Sequence, residues 1–251
     1  MNLTQLRTAQ WLSIIGAVAG VLSLLALWES PFRTPIMAAT VVLTLLFFVL
    51  EIHRDRLSIL FAGIIAFHRS FPQQKNADVF RQVETEYCYL GIGFTTVMNI
   101  FRAWYETERK GNVRIRLLLT DPDCSEALEF QARYEHAIFK PDVSPEERKL
   151  LDDTARRGRD SIVLALDLLA TLPSLSSAVE VRFHREKIRK WVHFINGNLL
   201  YVGVLRSGES GLNSPVMVLR PRNHWSLFDH YREEWESLWS SARSNTLAVK
   251  S

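Results

Sequence analysis

Between residues 184 and 193 the chain carries six side chains that can hold a proton or a positive charge: His184, Arg185, Lys187, Arg189, Lys190 and His193. Cations at that density can hold phosphate oxygens. An imidazole among them can attack phosphorus or move a proton. Arg114 and Arg116 lie on a second β-prone run, and Thr95 and Thr96 stand where a helix should begin. The first turn of a helix has unpaired N–H groups and binds anions. These residues point to a phosphate-bearing ligand, a nucleotide among the options. The competing reading is a hairpin edge protected by solvated charge. His193 also has two readings, a structural histidine or one aimed into a pocket. Cys88 and Cys124 are the two cysteines. They make neither a disulfide framework nor a zinc-ligand cluster, and they read as small buried hydrophobes. No metal and no cofactor is expected. Arg206–Ser214 lacks the spacing of a phosphate-binding loop and reads as a surface loop, with a mobile lid as the alternative.

The elements that must position these residues follow from periodicity. Tyr87–Ile92 and Val113–Leu119 are apolar, β-prone runs, separated by a helix from Thr95 or Thr96 to about Lys110. Leu57–Phe67 is a buried strand or a helix lying on a membrane, and Asn76–Glu86 is helical. A helix from Ser125 to about Phe139 follows the second strand. Ser144-Pro145-Glu146-Glu147 is a helix start with a capping box, for a helix reaching Leu172 before Pro173. Ala178–His184, Lys190–Ile195, Leu199–Val204 and Pro215–Leu219 are strands, and Asn196-Gly197 makes a hairpin turn. The closing helix, Trp225 to Ala242, places Phe228, Tyr231, Trp235, Leu238 and Ala242 on one core-facing stripe. Strand–helix alternation followed by a hairpin predicts an α/β domain whose mixed β-sheet is flanked by helices.

The 251 residues divide into an anchor, 1–56, and a domain, 57–251. Thr8 to Trp28 holds no charged residue over 21 positions, about 31 Å of helix and enough to cross a bilayer core. A second uncharged run, Thr34–Leu50, ends at Glu51. Together they predict a transmembrane helical hairpin, with helices over about 8–28 and 34–52. A cleaved signal peptide is the competing reading of the first run, disfavoured by its length and by the second span. Gly16 and Gly20 form a small-residue motif for helix packing, within the hairpin or between chains. Arg7, Arg54 and Arg56 outweigh the balanced loop around Arg33, so both termini should be cytoplasmic, in a two-pass inner-membrane protein. The net charge of +3 is too small to imply nucleic-acid binding by itself.

The order of these pieces resembles one repeat of the phospholipase D-like superfamily. The resemblance rests on Tyr89-Leu-Gly-Ile-Gly-Phe-Thr-Thr96, Gly111-Asn-Val-Arg-Ile-Arg-Leu-Leu-Leu-Thr-Asp-Pro-Asp123 and Val192-His-Phe-Ile-Asn-Gly-Asn-Leu-Leu-Tyr-Val-Gly203, closed by the aromatic helix. It covers about residues 75–243. The family's chemistry implies a nucleophilic histidine, a phosphate-holding lysine and an aspartate in the pattern HxKxxxxD. Arg189, Trp191 and Asn196 stand at those three positions, and none of the seven histidines has a lysine two residues later. Arginine stays protonated and is no nucleophile. The resemblance therefore implies a degenerate repeat with no catalytic residue of the family type, and it adds Asn196 to the phosphate-binding candidates. A single repeat also implies a homodimer or larger oligomer, with Trp225 and Trp239 available to an interface.

Two functions follow, and a scaffold with no small ligand is a third, blander reading. The first is a non-catalytic sensor or effector, of a kind found in bacterial defence. Its domain would bind a phosphate-bearing ligand or partner and signal to the membrane hairpin. The second is a membrane-bound phosphodiesterase or lipid-modifying enzyme using His184 or His193 in a rearranged site. The missing motif favours the first. Topology is directly testable. A reporter fused at Ser251 should be active only when it is of the type that works in the cytoplasm, and activity of the opposite type would reverse the orientation.

Overall fold

The computed structural model describes residues 62–71, 74–109, 111–172, 179–208, 213–222 and 226–245, with positions 20 and 42 alone before them. The expected membrane hairpin, its termini and Trp225 lie outside the described residues. Among the described residues no helix is long and apolar enough to cross a membrane. The chain divides into two units, 1–58 and 59–251, and the second carries the fold described below.

That unit is an eight-stranded mixed sheet flanked by helices, as the alternation predicts. The elements are β1 (Ile64–His68), α1 (Gln74–Arg81), β2 (Glu86–Gly91), α2 (Thr95–Ala103), β3 (Arg114–Thr120), α3 (Ser125–Glu135), α4 (Pro145–Ala170), β4 (Val179–His184), β5 (Lys190–Ile195), β6 (Leu199–Val204), β7 (Val216–Leu219), α5 (Leu227–Ser241) and β8 (Arg243–Asn245). The strand order is β1-β7-β6-β5-β2-β3-β4-β8. β2, β3 and β4 run parallel, joined by helical crossovers. β5 and β6 form an antiparallel hairpin against β2.

Side-chain alternation sorts the sheet into two faces. Tyr87, Tyr89, Ile115, Leu117 and Ile195 join the core under α1, α2 and α4. Cys88, Leu90, Leu118, Val192 and Phe194 join a second core under α5. α5 places Phe228 and Trp235 in that core, with Tyr231, Leu238 and Ala242 packed beside it, so the aromatic stripe is core. Burial pushes the Cys88 thiol up to about 12, which leaves it a small apolar filler.

Several local expectations change. β1 is neither a fully buried strand nor a membrane-lying helix. It is an edge strand with Ile65 and Phe67 exposed, because only β7 pairs with it. The first helix stops at Arg81, and Glu86 opens β2. Neither Thr95 nor Thr96 caps α2. Phe94 holds the cap position and Thr95 is the first helical residue. After Ala103 the helix widens into a π turn, Trp104–Glu108, which lets both Trp104 and Tyr105 point inward. Trp239 is 6% exposed and stacks on Trp235 with ring centroids 5.0 Å apart, so it is core and supplies no interface.

The Asn196-Gly197 turn has both residues at positive φ, 51° and 67°, the geometry that matches hairpin twist. The Asn196 carboxamide is fully engaged. Its Oδ1 accepts from the amides of Glu84 and Thr85 at 2.9 and 3.0 Å, and its Nδ2 donates to the Gln82 carbonyl at 2.8 Å. The hairpin is thereby tied to the loop entering β2. Asn196→Ala removes these bonds and strains the turn, and should cost about 1–3 kcal/mol. Urea unfolding of the full chain checks it. An unchanged midpoint would deny the tie.

Candidate functional site: an aromatic cavity beside His193

The parallel strands β2 and β3 end at Gly91 and Thr120, and the loop after β2 turns into α2. Ligands of open α/β sheets gather at such carboxyl edges. A cavity of about 310 Å³ lies there, bordered by Phe71, Asn76, Tyr89, Thr95, Trp191 and His193 among others. A second hollow, between α3 and α4, shares Ile92, Gly158 and Leu205 with it.

Four rings form its aromatic border. Centroids of Phe71 and Trp191 are 5.4 Å apart, those of Tyr89 and His193 5.1 Å, and those of Trp191 and His193 5.1 Å. Two glycines make room for them. A Cβ at position 203 would run into the Trp191 indole, and one at position 91 into the Tyr89 phenol. The Tyr89 hydroxyl donates to the Gly93 carbonyl at 2.8 Å and so fixes the loop before α2. Thr95 shares a hydroxyl–hydroxyl bond of 2.6 Å with Ser161 of α4.

His193 is 2% exposed. Its Nδ1 shares a 2.7 Å hydrogen bond with the Tyr87 hydroxyl, and Nε2 makes no hydrogen bond with a described residue. With the hydroxyl donating, Nε2 carries the proton and can donate; the other tautomer makes it an acceptor. Burial lowers the His193 pKa to about 3, so the ring is neutral. Asn76, 3% exposed, makes no hydrogen bond with a described residue, and its Oδ1 is buried without a partner. An unpaired buried polar group costs about 1–3 kcal/mol.

The expected phosphate-binding cluster is divided. Thr95, Thr96 and His193 border the cavity. Lys190 borders it too, but its ammonium is taken by Glu234 and lies over the Tyr231 ring on the α5 side. Arg189 lies over the rings of Phe130 and Tyr134, 5.4 and 5.3 Å from their centroids. Lys187 is exposed at a separate groove beside Glu186 and Tyr231. His184 is buried at the end of β4, 3.5 Å from the Thr120 hydroxyl, and burial pushes its pKa down to about 4. Arg114 and Asn196 sit at the opposite edge of the sheet, beside Glu86.

Arg116 points to the α5 face, where Glu86 and Glu236 hold it at 2.9 and 3.1 Å. Its guanidinium lies 4.3 Å from the Trp235 ring centroid. It therefore binds protein carboxylates, not a ligand phosphate. Among the described residues no group of histidine, cysteine or carboxylate side chains could hold a metal ion.

Sequence reasoning missed Asn76, Phe71, Tyr89 and Trp191 as cavity residues, since none carries a charge. It also missed β8. That strand brings Arg243 to the buried Asp121 carboxylate at 3.1 Å, which Arg185 meets at 3.0 Å from the other side.

No family model matches the chain, and no curated protein matches it. Among solved structures it is similar to Nuc, a phospholipase D family member from Salmonella typhimurium. The identity is 10% and the TM-score 0.41, over 69% of this chain and 90% of that one. It is also similar to TrmBL2, an archaeal chromatin protein, at 10% identity and a TM-score of 0.37, over 84% of this chain and 68% of that one. Likenesses this weak assign neither family nor activity.

The buried histidines set a pH dependence. Both pKa values are lowered, so the unfolded chain takes up protons first as pH falls. Stability is whole above about pH 6.5 and declines below it, towards the folded values. At pH 5 the His193 contribution should be a loss of about 2 kcal/mol. Urea unfolding of the full chain at pH 7.5 and pH 5 should show it, and His193→Gln should shrink the loss by that amount. An identical pH loss in the variant would refute the assignment.

Proposed function

We propose that the chain is a membrane-anchored, non-catalytic sensor or effector whose sheet domain binds a small phosphate-bearing ligand or partner in the cavity beside His193. One observation carries this reading. His193 is the only ionisable side chain of the described cavity border, apart from the engaged Lys190 and the buried phenol of Tyr89, and no carboxylate stands there. Phosphodiester cleavage by histidine needs a carboxylate or equivalent to orient the ring, cations for the phosphoryl oxygens and an acid for the leaving group. The described cavity has none of these sets complete. The N-terminus of α2 at Thr95 and Thr96 remains as its anion-favouring feature.

Phe71 and Asn76 lie on and beside the first elements that follow the N-terminal unit in the chain. A ligand touching them acts on the segment that continues directly into the anchor. Signalling then needs two states with different ligand affinity, and self-association through the Gly16–Gly20 motif is the proposed second state. A role in bacterial defence belongs to this reading by analogy of architecture alone.

The test is turnover. Detergent-solubilised full-length protein should release no more product from bis(p-nitrophenyl) phosphate, single-stranded DNA or phospholipid vesicles than His193→Ala does. Turnover that disappears in His193→Ala would establish the phosphodiesterase reading instead.

A further inference from the structure

Three features of the cavity describe its ligand. The first is shape and surface. Its volume of about 310 Å³ is small, at the lower end for small-molecule sites. Phe71, Tyr89, Trp191 and His193 contribute four rings to its border. Such a border favours a flat, polarisable group over an aliphatic or strongly hydrated one.

The second is charge. The ammonium of Lys190 is committed to Glu234 on the α5 side. His193 is neutral, and Arg116 is committed to Glu86 and Glu236 on the other face. The part of the ligand that enters among the rings is therefore uncharged, since a buried ion without a partner is expensive.

The third is hydrogen bonding. His193 and Asn76 are each more than nine-tenths buried and both border the cavity; the Asn76 Oδ1 has no partner, and the His193 Nε2 makes no hydrogen bond with a described residue. A carboxamide offers a donor and an acceptor side by side, the pattern that pairs with the edge of an amino- or oxo-substituted heterocycle. Simple aromatic hydrocarbons would leave both groups unpaired.

We infer that the cavity recognises an uncharged planar heterocycle of the nucleobase type, with its rings against Phe71, Tyr89 and Trp191 and its polar edge on Asn76 and His193. This rests on the binding reading above and names the part of the ligand that decides recognition. A phosphate, where the ligand carries one, meets the N-terminus of α2 and adds affinity without setting specificity.

The experiment uses the detergent-solubilised full chain, with thermal unfolding and calorimetric titration. The probes are adenosine, guanosine, cytidine and uridine, their 5′-monophosphates, and inorganic phosphate. At least one nucleoside should raise the melting temperature at millimolar concentration, and inorganic phosphate alone should not. Asn76→Leu keeps the side chain's size and removes its unpaired polar atoms. It should raise the melting temperature of the ligand-free protein while weakening nucleoside binding at least about tenfold. A residue with a purely structural role would not move stability and binding in opposite directions. If Asn76→Leu fails to fold, Asn76→Ser and His193→Gln carry the binding test, each with the same expected loss. No response to any nucleoside overturns the inference. So does nucleoside binding untouched by these variants. Inorganic phosphate binding as well as the nucleotides, and lost in the Asn76 variants, overturns the ligand class while leaving the binding function standing. Hydrolysis of a monophosphate that stops in His193→Gln overturns the non-catalytic reading itself.

Discussion

The register of the β5–β6 hairpin decides what this molecule can bind. His193 pairs with Tyr89 on one side and Tyr201 on the other. Because side chains alternate along a strand, a slip of one residue would turn His193 and Trp191 away and send Val192 and Phe194 to the cavity. The α5 core would then receive the imidazole in place of Phe194, which meets Phe228 and Trp235 edge to face at 6.0 and 6.1 Å. Both faces oppose the slip. The turn opposes it too, since Asn196 and Gly197 are placed at positive φ and the Asn196 carboxamide is bound to three backbone groups of the loop entering β2. The motif position implied by the resemblance, Asn196, thus acts on the site by fixing register from the far edge of the sheet.

The same alternation explains which features were legible in the sequence. The hairpin strands over 190–195 and 199–204 have the expected bounds, because their β-prone runs flank an Asn-Gly turn. The start of α4 was legible for a similar reason. Ser144 Oγ accepts from the Glu147 amide at 3.2 Å, and the Glu147 carboxylate accepts from the Ser144 amide at 2.8 Å. Such signals act within a few residues. The candidate site depends on contacts across the sheet. Lys190 and His193 are three residues apart yet work on opposite faces, one on Glu234 of α5 and one against Tyr87. Arg116 looked like a ligand cation until its carboxylates appeared from β2 and α5. A run of charge in sequence carries no information about face unless the strand parity and the facing helix are both known.

The hidden residues were hidden for a physical reason. Asn76 sits in a short helix whose sequence, Gln-Lys-Asn-Ala-Asp-Val-Phe-Arg, reads as an ordinary surface helix with Val79 and Phe80 inward. Nothing local says that an asparagine there is 3% exposed. Gly91 and Gly203 carried a weak signal, since glycine inside a strand marks a place where something approaches closely. Here the approaching groups are Tyr89 and Trp191, two of the cavity's own rings.

Arg116 and Asn76 are both deeply buried polar side chains, and they differ in how far the chain itself satisfies them. Arg116 is 7% exposed and meets two carboxylates and an indole face. Its charge is compensated within the chain by the two carboxylates, although its Nε is buried without a partner. Asn76 is buried as deeply and its Oδ1 is left without a partner at the cavity border, where His193 uses Nδ1 on Tyr87 and makes no hydrogen bond at Nε2 with a described residue. A fold selected for stability alone would replace them with apolar residues of the same size, as nearly all the surrounding core has done. Keeping an unpaired carboxamide oxygen buried in this cavity costs the free protein stability that a matching ligand would restore. That imbalance, more than the fold, is the physical ground for reading the cavity as a binding site.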